Sequence, residues 1–288
     1  MSRTSAVTSK AVAWGRQAVK VSAAVADRVR PPRPGVVVLT YHRVGARSPM
    51  TVDLPTPLFE EQMAELAASG RVVTLDRAID LLTGPGEQPG SGDPGGAGDP
   101  VVLTFDDGTT DLAELATPIL ERHGLPATLY LATDYVDRRL SFRADGLALS
   151  WGAVTEMAST GVWSMESHTH THALLDRTPD AQVAGELDRS IELIAEHTGR
   201  TPVHFAYPKS LAGTPAADRA VRERFRSAAL SGTRINPFDR TDPWRLARSS
   251  IQIGDGMTWF RHKAAGGLRA EDDVRRVLNR VRYRSIDT

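Results

Sequence analysis

The sequence contains no cysteine, which excludes disulfide bonds, thiolate metal ligands and a cysteine nucleophile. A metal site in this chain would therefore have to use histidine and carboxylate ligands. The sequence also lacks any apolar run near the roughly 20 residues that a membrane-spanning helix needs. Its 35 Lys and Arg residues balance 35 Asp and Glu residues, so the composition predicts no nucleic-acid partner.

The first 30 residues lack the continuous apolar core of a signal peptide, because Lys10, Arg16 and Lys20 interrupt it. We therefore expect a cytoplasmic protein. The same segment carries mostly basic charge and could form a weak amphipathic helix, peripheral at the inner membrane face. The alternative is a solvated extension, which is favoured because the predicted apolar face consists mostly of the small residues alanine and valine. That face consists of Ala11, Trp14, Ala18, Val21 and Val25.

Strands and helices alternate along most of the chain. The proline-rich stretch 31–34 ends the N-terminal extension at residue 34, and residues 84–100, rich in Gly, Pro, Ser and Asp, predict a disordered insertion. The alternation predicts parallel βα units in a domain at 35–265, followed by a basic helical tail at 266–288. Predicted strands are 36–41, 101–105, 127–132, 162–167, 203–207, 227–230 and 249–253; predicted helices are 57–69, 75–82, 110–123, 151–159, 179–197 and 216–225.

Polar residues cluster where four of the predicted strands end. The carboxyl ends of parallel strands in a barrel lie on one face, so we expect these residues to share a site. The pair Asp106 and Asp107 would bring two like charges together, which is explained if one binds a metal and the other handles a proton. The alternative is a polar Asp-Gly turn. The clusters are Tyr41–His42, Asp106–Gly108, Ser167–His172 and His204–Pro208.

The stretch from His168 to His172, here called the histidine segment, admits three conformations. In a strand, His168, His170 and His172 would share one face. In a helix, His168 and His172 would lie on one face, one turn apart. In a single turn, the same two histidines could bind one metal, and His170 would lie outside the site. The single turn fits best, since two imidazoles and one carboxylate leave positions open, as in catalytic zinc sites. A histidine-rich loop without metal is the alternative.

These stretches resemble the motifs of the polysaccharide deacetylase family, which contains the NodB-homology domain and is also called carbohydrate esterase family 4. Thr104–Gly108 reads Thr-Phe-Asp-Asp-Gly, like the first motif, and the histidine segment is similar to the second. Phe205–Pro208 reads Phe-Ala-Tyr-Pro, the third motif of one branch. Leu39–His42 resembles the same branch, in which a histidine at the first strand replaces a late one. The resemblance covers roughly residues 35–255.

The resemblance implies a distorted (β/α)7 barrel and a hydrolase that acts on the carbon–nitrogen bond of linear, non-peptide amides. The substrate would be an N-acetylated or N-formylated amino sugar in a polymer, an oligosaccharide or a glycan precursor. The cofactor would be a divalent metal, usually Zn²⁺, with Co²⁺, Ni²⁺ and Mn²⁺ as alternatives. The implied metal ligands are Asp107, His168 and His172.

The resemblance also implies the catalytic roles. Asp106 would be the general base and His42 the general acid, while Arg248 would steer Asp106. The backbone N–H of Lys209 would belong to the oxyanion hole. The sequence departs from the family in reading Pro208-Lys209-Ser210 where Pro-Tyr-Gly is usual, and His262 is the one late histidine that could replace His42 as the acid. A catalytically inactive carbohydrate-binding barrel and a membrane-surface scaffold are the competing functions.

Overall fold

Seven parallel strands form a closed barrel in the computed structural model, which describes residues 19–27, 29, 32–84 and 98–269. Each strand pairs with the next along the chain, and the last pairs with the first. The expected (β/α)7 barrel is therefore confirmed. The strands are β1 (Gly35–Tyr41), β2 (Val101–Asp107), β3 (Ala127–Leu131), β4 (Trp163–Ser167), β5 (His204–Ala206), β6 (Ser227–Ser231) and β7 (Leu246–Ser250).

Helices connect the strands and cover the outside of the barrel. They are α1 (Thr56–Ser69), α2 (Leu75–Thr83), α3 (Thr117–His123), α4 (Thr133–Asp137), α5 (Trp151–Ser159), α6 (Asp180–Thr198), α7 (Pro215–Arg224) and α8 (Gly256–Ala264). Three short strand pairings add to the barrel: Arg43–Val44 with Asp53–Leu54, Ser141–Phe142 with Gly146–Leu147, and Asn236–Pro237 with the start of β1.

Alternate residues of β1 pack into two separate cores, as the period of a strand requires. In β1, Val37 and Leu39 belong to the core between barrel and helices, whereas Val36 and Val38 fill the barrel interior. The apolar face of α2 packs with the interior core and covers the amino ends of the strands. The carboxyl ends therefore meet at the opposite end, here called the barrel mouth.

Two strands include charged residues that the sequence prediction had left outside them, because these charges are buried and neutralise each other. The sequence predicts an end of β2 at Phe105, but the strand continues through Asp107. It places the last strand at 249–253, but β7 begins earlier and contains Arg248. Strand positions tolerate these charges because Arg248 forms two hydrogen bonds to Asp106 across the barrel.

The predicted helix at 110–123 is interrupted by a π-helical turn, Leu112–Ala116, before α3 begins. Pro118 cannot donate a backbone hydrogen bond there. The backbone N–H and the hydroxyl of Thr117 both donate to the carbonyl of Leu112 instead, which closes the wider turn. The other predicted strands and helices in the described ranges agree with the observed ones to within a residue at each end.

Residues 19–27 form a helix that attaches to the barrel through a charged side chain. Lys20 is only 7% exposed and forms an ion pair with the buried carboxylate of Asp255. Of its apolar side chains, Ala23 is buried, whereas Val21 and Val25 of the predicted apolar face are 54% and 53% exposed. The ion pair of Lys20, a hydrogen bond from the N–H of Leu268 to Asp27 and the burial of Ala23 therefore hold this helix, and the predicted face at Val21 and Val25 does not.

Within the described ranges, none of the helices is long and apolar enough to cross a membrane. The predictions made for residues 1–18, for most of the insertion (85–97) and for the tail (270–288) concern residues outside those ranges.

Candidate active site

The two carboxylates at the end of β2 have different surroundings and different backbone conformations. Asp106 is 5% exposed, while Asp107 has a φ of 75°, which is uncommon for a residue other than glycine. Gly108 follows with a φ of 91°, and a Cβ atom there would lie 2.6 Å from a methyl group of Leu131. Glycine is therefore required at this turn. The strained Asp107 marks a candidate functional position.

Asp107, His168 and His172 form a group of side chains that could hold a metal ion. Oδ1 of Asp107 lies 3.8 Å from Nε2 of His168 and 3.4 Å from Nε2 of His172. Ligand atoms bound at about 2.0–2.2 Å to one tetrahedral zinc ion lie roughly 3.3–3.6 Å apart, so the spacing suits a shared metal. Two imidazole nitrogens and a carboxylate oxygen also match the donor types that divalent transition metals prefer.

The tautomer of His168 suits a metal ligand. Its Nδ1 lies 2.7 Å from the carbonyl oxygen of Ala206, so Nδ1 carries the proton and donates it. The lone pair of Nε2 is then directed toward Asp107. Burial lowers the pKa of His168 to about 4, so the ring is neutral at pH 7, as metal binding requires.

The histidine segment is a tight bend and not a strand or a helix. Thr169 and His172 both have positive φ, at 62° and 60°, and this turns the rings of His168 and His172 toward one point. His170 points elsewhere, because its Nδ1 lies 2.9 Å from the hydroxyl of Thr133. The geometry agrees with the single-turn alternative, with His170 outside the group.

Glu186 on α6 holds the histidine segment from the outside. Its carboxylate accepts hydrogen bonds from the backbone N–H and the hydroxyl of Thr171, both at 2.8 Å. Its carbonyl oxygen accepts the N–H of His170 at 3.0 Å. These bonds offset the strain of the bend and fix the backbone that carries His172.

We expect Glu186→Ala to weaken divalent metal binding about tenfold. Residues that hold and orient metal ligands typically contribute 10–100-fold to metal affinity. The measurement is an equilibrium Zn²⁺ titration against a competing chelator. Glu192→Ala is a matched control, because Glu192 lies on the same helix and pairs with Arg189 on the helix surface. Equal Zn²⁺ affinities for the two variants would contradict the role given to Glu186.

Arg248 of β7 binds Asp106 across the barrel. Its Nη1 and Nη2 donate to the two carboxylate oxygens at 2.6 and 2.8 Å. Burial alone would raise the pKa of Asp106, but the positive charge of Arg248 and its hydrogen bonds to the carboxylate lower that pKa below its usual value. Asp106 is therefore ionised at neutral pH and able to accept a proton.

His42 follows β1 and lies on the mouth side of Asp106. Its Nε2 is 3.8 Å from Oδ2 of Asp106, and its side chain is 28% exposed. The other candidate acid, His262, lies on α8 with its ring 5.5 Å from the ring of Trp259. Because α8 packs against α1 and the outside of β1, the geometry favours His42.

One residue of the predicted polar clusters lies at the wrong end of the barrel. His204 begins β5, and its ring nitrogens bind Ser227 at 2.8 Å and Asp76 of α2 at 3.2 Å, at the amino ends of the strands. The expectation that His204 lies at the mouth was wrong, because β5 is short and only its far end reaches the mouth. Lys209, just beyond that end, has an exposed side chain and a left-handed backbone with φ 51°.

Sequence reasoning missed the side of the site built by residues 133–149. Tyr135 of α4 and Phe142 of the hairpin Ser141–Leu147 stack with their centroids 4.1 Å apart, and both rings contact His172. The dipeptide Asp145-Gly146 is a hairpin signal that could have indicated this element. The contact with His172 has no signal in the sequence, because it joins two separate loops.

Residues 94–228 match the family model described as Polysaccharide deacetylase. This stretch, just under half of the chain, carries a polysaccharide deacetylase domain. The matched stretch contains the Asp106–Asp107 pair and the histidine segment, whereas His42 and Arg248 lie outside it.

A curated relative of this chain comes from Staphylococcus aureus (strain MSSA476). That protein, a poly-beta-1,6-N-acetyl-D-glucosamine N-deacetylase, is 29% identical over 119 residues, which cover 38% of this chain and 40% of the relative. The similarity thus spans less than half of either protein.

Two solved structures share the fold. The Streptococcus pyogenes deacetylase PplD in complex with acetate has a TM-score of 0.67 and 20% identity, over 80% of this chain and 97% of that one. IcaB from Ammonifex degensii has a TM-score of 0.66 and 24% identity, over 80% of this chain and 98% of that one. At such identities the likeness concerns the barrel alone.

Proposed function

We propose that this chain is a metal-dependent hydrolase that removes an N-acetyl or N-formyl group from an amino sugar in a polysaccharide, oligosaccharide or glycan precursor. One observation carries the proposal. The three possible metal ligands share the barrel mouth with Asp106, an ionised carboxylate that is not one of them. Because the curated relative is named for poly-beta-1,6-N-acetyl-D-glucosamine, N-acetylglucosamine polymers are the first substrates to test.

The residues present fit a divalent metal held by Asp107, His168 and His172, and zinc is our first proposal. When bound, such a metal would lower the pKa of a coordinated water to about 7 and polarise the amide carbonyl. Co²⁺, Ni²⁺ and Mn²⁺ use the same donor types and are the alternatives.

Asp106 is proposed to accept the proton of the attacking water. Its two hydrogen bonds to Arg248 fix the plane of the carboxylate, so the base does not have to reorient during the reaction. The lowered pKa of Asp106 keeps it ionised before attack. Arg248 is buried and compensates the charge of a carboxylate that would otherwise be costly to bury.

The backbone N–H of Lys209 is proposed to donate to the oxyanion that forms when water attacks the carbonyl. The supporting observation is the strained backbone of this turn, where Lys209 and Ser210 both have positive φ, at 51° and 58°. Such conformations cost about 1–3 kcal/mol each and cluster at functional sites. The nearby carbonyl of Ala206 binds His168, which ties this turn to the possible metal ligands.

His42 is proposed to protonate the departing amine, and its removal gives a distinct prediction. We expect His42→Ala to lower kcat about 100-fold and to abolish the alkaline limb of the pH–rate profile, which reports loss of the proton from the acid. His262→Ala, on the outer helix α8, should leave both kcat and that limb unchanged. An intact alkaline limb in His42→Ala would remove His42 from the acid role.

The function itself is tested by metal analysis combined with a deacetylation screen. Purified protein is loaded with Zn²⁺, Co²⁺, Ni²⁺ or Mn²⁺ and incubated with N-acetylglucosamine substrates of increasing length, and free amine and acetate are measured. We expect stoichiometric metal and equal amounts of amine and acetate with at least one substrate. Stoichiometric metal without amine release across the panel would instead favour a carbohydrate-binding barrel without activity.

A further inference from the structure

The two histidines of the possible metal site are held in different ways. His168 is fixed by a hydrogen bond from Nδ1 to a carbonyl oxygen. The ring of His172 is enclosed by aromatic rings instead: Tyr135 meets it at 6.1 Å and an interplanar angle of 72°, and Phe142 at 6.0 Å and 82°. Both contacts are edge-to-face arrangements within the favourable range of 4.5–7 Å.

Tyr135 and Phe142 form one rigid unit, here called the aromatic clamp. Their rings are 4.1 Å apart and nearly parallel, with an interplanar angle of 11°. Tyr135 lies on the short helix α4 directly after β3, and its carbonyl oxygen accepts the N–H of Leu140 at 2.9 Å. The clamp therefore joins the end of a barrel strand to the hairpin Ser141–Leu147.

The hairpin is in turn fixed to the segment that follows β1. Nη1 of Arg43, just after His42, donates to the carbonyl oxygen of Ala144 at 2.9 Å. A Cβ atom on Gly146 would lie 3.3 Å from the same Nη1, so the hairpin backbone lies directly on this guanidinium. Nε of Arg43 lies 3.7 Å from the buried carboxylate of Asp111, which also accepts the N–H of Val44.

A second connection joins the hairpin to the corner that carries the carboxylates. The N–H of Leu149 donates to the carbonyl oxygen of Gly108 at 2.9 Å, and Thr109 forms an isolated antiparallel bridge with Ala148. The clamp is thus positioned by the same turn that positions Asp107. Displacement of the hairpin would change the placement of a ligand from β2 and of His172 together.

We propose that Tyr135 and Phe142 are positioning residues of the metal site, which fix the ring plane of His172 by aromatic contact. The inference rests on the proposed metal-dependent function and names residues that the family motifs do not contain. His172 lies on strained backbone at a φ of 60°, and its side chain is 19% exposed. Without the clamp its ring would rotate more freely, and metal binding would have to order it again.

The experiment measures Co²⁺ binding by the full chain, by competition with a chelating dye and by the visible absorption of the Co²⁺-loaded protein. We expect Phe142→Ala and Tyr135→Ala to bind Co²⁺ about tenfold more weakly, with altered absorption bands, because the bands report ligand geometry. Phe142→Tyr, which keeps the ring, should behave like the wild type. His197→Ala, which removes a ring stacked on Trp151 at 4.1 Å outside the site, is the matched control and should not alter Co²⁺ binding.

Co²⁺ affinity within twofold of wild type and unchanged absorption in Phe142→Ala would overturn the clamp. If Phe142→Ala fails to fold, Phe142→Leu retains apolar volume without a flat ring and is judged by the same two measurements. A wild-type chain that binds no Co²⁺ or Zn²⁺ would instead overturn the proposed function together with the clamp. The two failures are therefore distinguishable.

Discussion

Asp106→Asn is expected to retain the full metal content of the wild type and to lower kcat for deacetylation about 10²- to 10⁴-fold. Asp106 is not one of the three clustered ligand atoms, so the substitution leaves those atoms in place. Asparagine keeps the shape of the side chain and can still contact Arg248, but it cannot accept the proton of the attacking water. The expected loss is that of a general base.

The comparison with the neighbouring carboxylate makes this result specific. Asp107→Ala and His168→Ala should lose the metal and the activity together, since each removes one of three ligands. Metal content is measured by elemental analysis after dialysis, and kcat by amine release from the best substrate of the screen. If Asp106→Asn kept activity within tenfold of the wild type, the division of roles between Asp106 and Asp107 would be wrong.

Arg248→Met should lower both the stability and the activity of the protein. The substitution leaves the carboxylate of Asp106 buried without its partner, and breaking a buried pair in this way typically costs about 3–5 kcal/mol. The positive charge of Arg248 also lowers the pKa of Asp106, so its removal raises that pKa. The ionised base is then populated only at higher pH, and the acid limb of kcat/KM should move to higher pH.

Urea denaturation and the pH–rate profile test this expectation together. Arg224→Met is a suitable control, because Arg224 pairs with Asp188 at the protein surface, where such pairs contribute about 0.2–1 kcal/mol. The proposed role of Arg248 would be refuted by a stability like that of Arg224→Met and an unshifted acid limb. Arg248→Lys keeps one charge and should lie between the wild type and Arg248→Met in both measurements.

The parts of the site that are local in the chain were predictable. Asp106, Asp107 and the histidine segment each follow directly after an apolar strand, so the sequence alone places them at strand ends. The choice of a single turn for the histidine segment also followed from local reasoning, and the observed bend has that form. His204 shows the limit of this local reasoning. Its position at the start of a short strand places it at the amino end of the barrel, and the sequence pattern does not reveal where that strand begins.

The residues that hold the site residues in place were less predictable. The sequence suggests Arg248 only through a weak resemblance, and the predicted last strand excluded it because a charge interrupts the apolar pattern. Its partner Asp106 lies 142 residues away in the chain. Glu186 and the aromatic clamp belong to no sequence motif, since a glutamate on a helix, a tyrosine on a short helix and a phenylalanine in a hairpin have many ordinary roles.

By itself, the sequence determined the alternation of strands and helices, the parallel α/β sheet or barrel that this alternation implies, and the side chains at the strand ends. These properties depend on periodicity and on neighbouring residues. Only the tertiary structure decided that Arg248 meets Asp106, that Glu186 holds the histidine segment, and that two aromatic rings enclose His172. These contacts depend on strand register and on loops meeting across the barrel mouth, and a one-residue shift in register reverses the direction of every side chain in a strand.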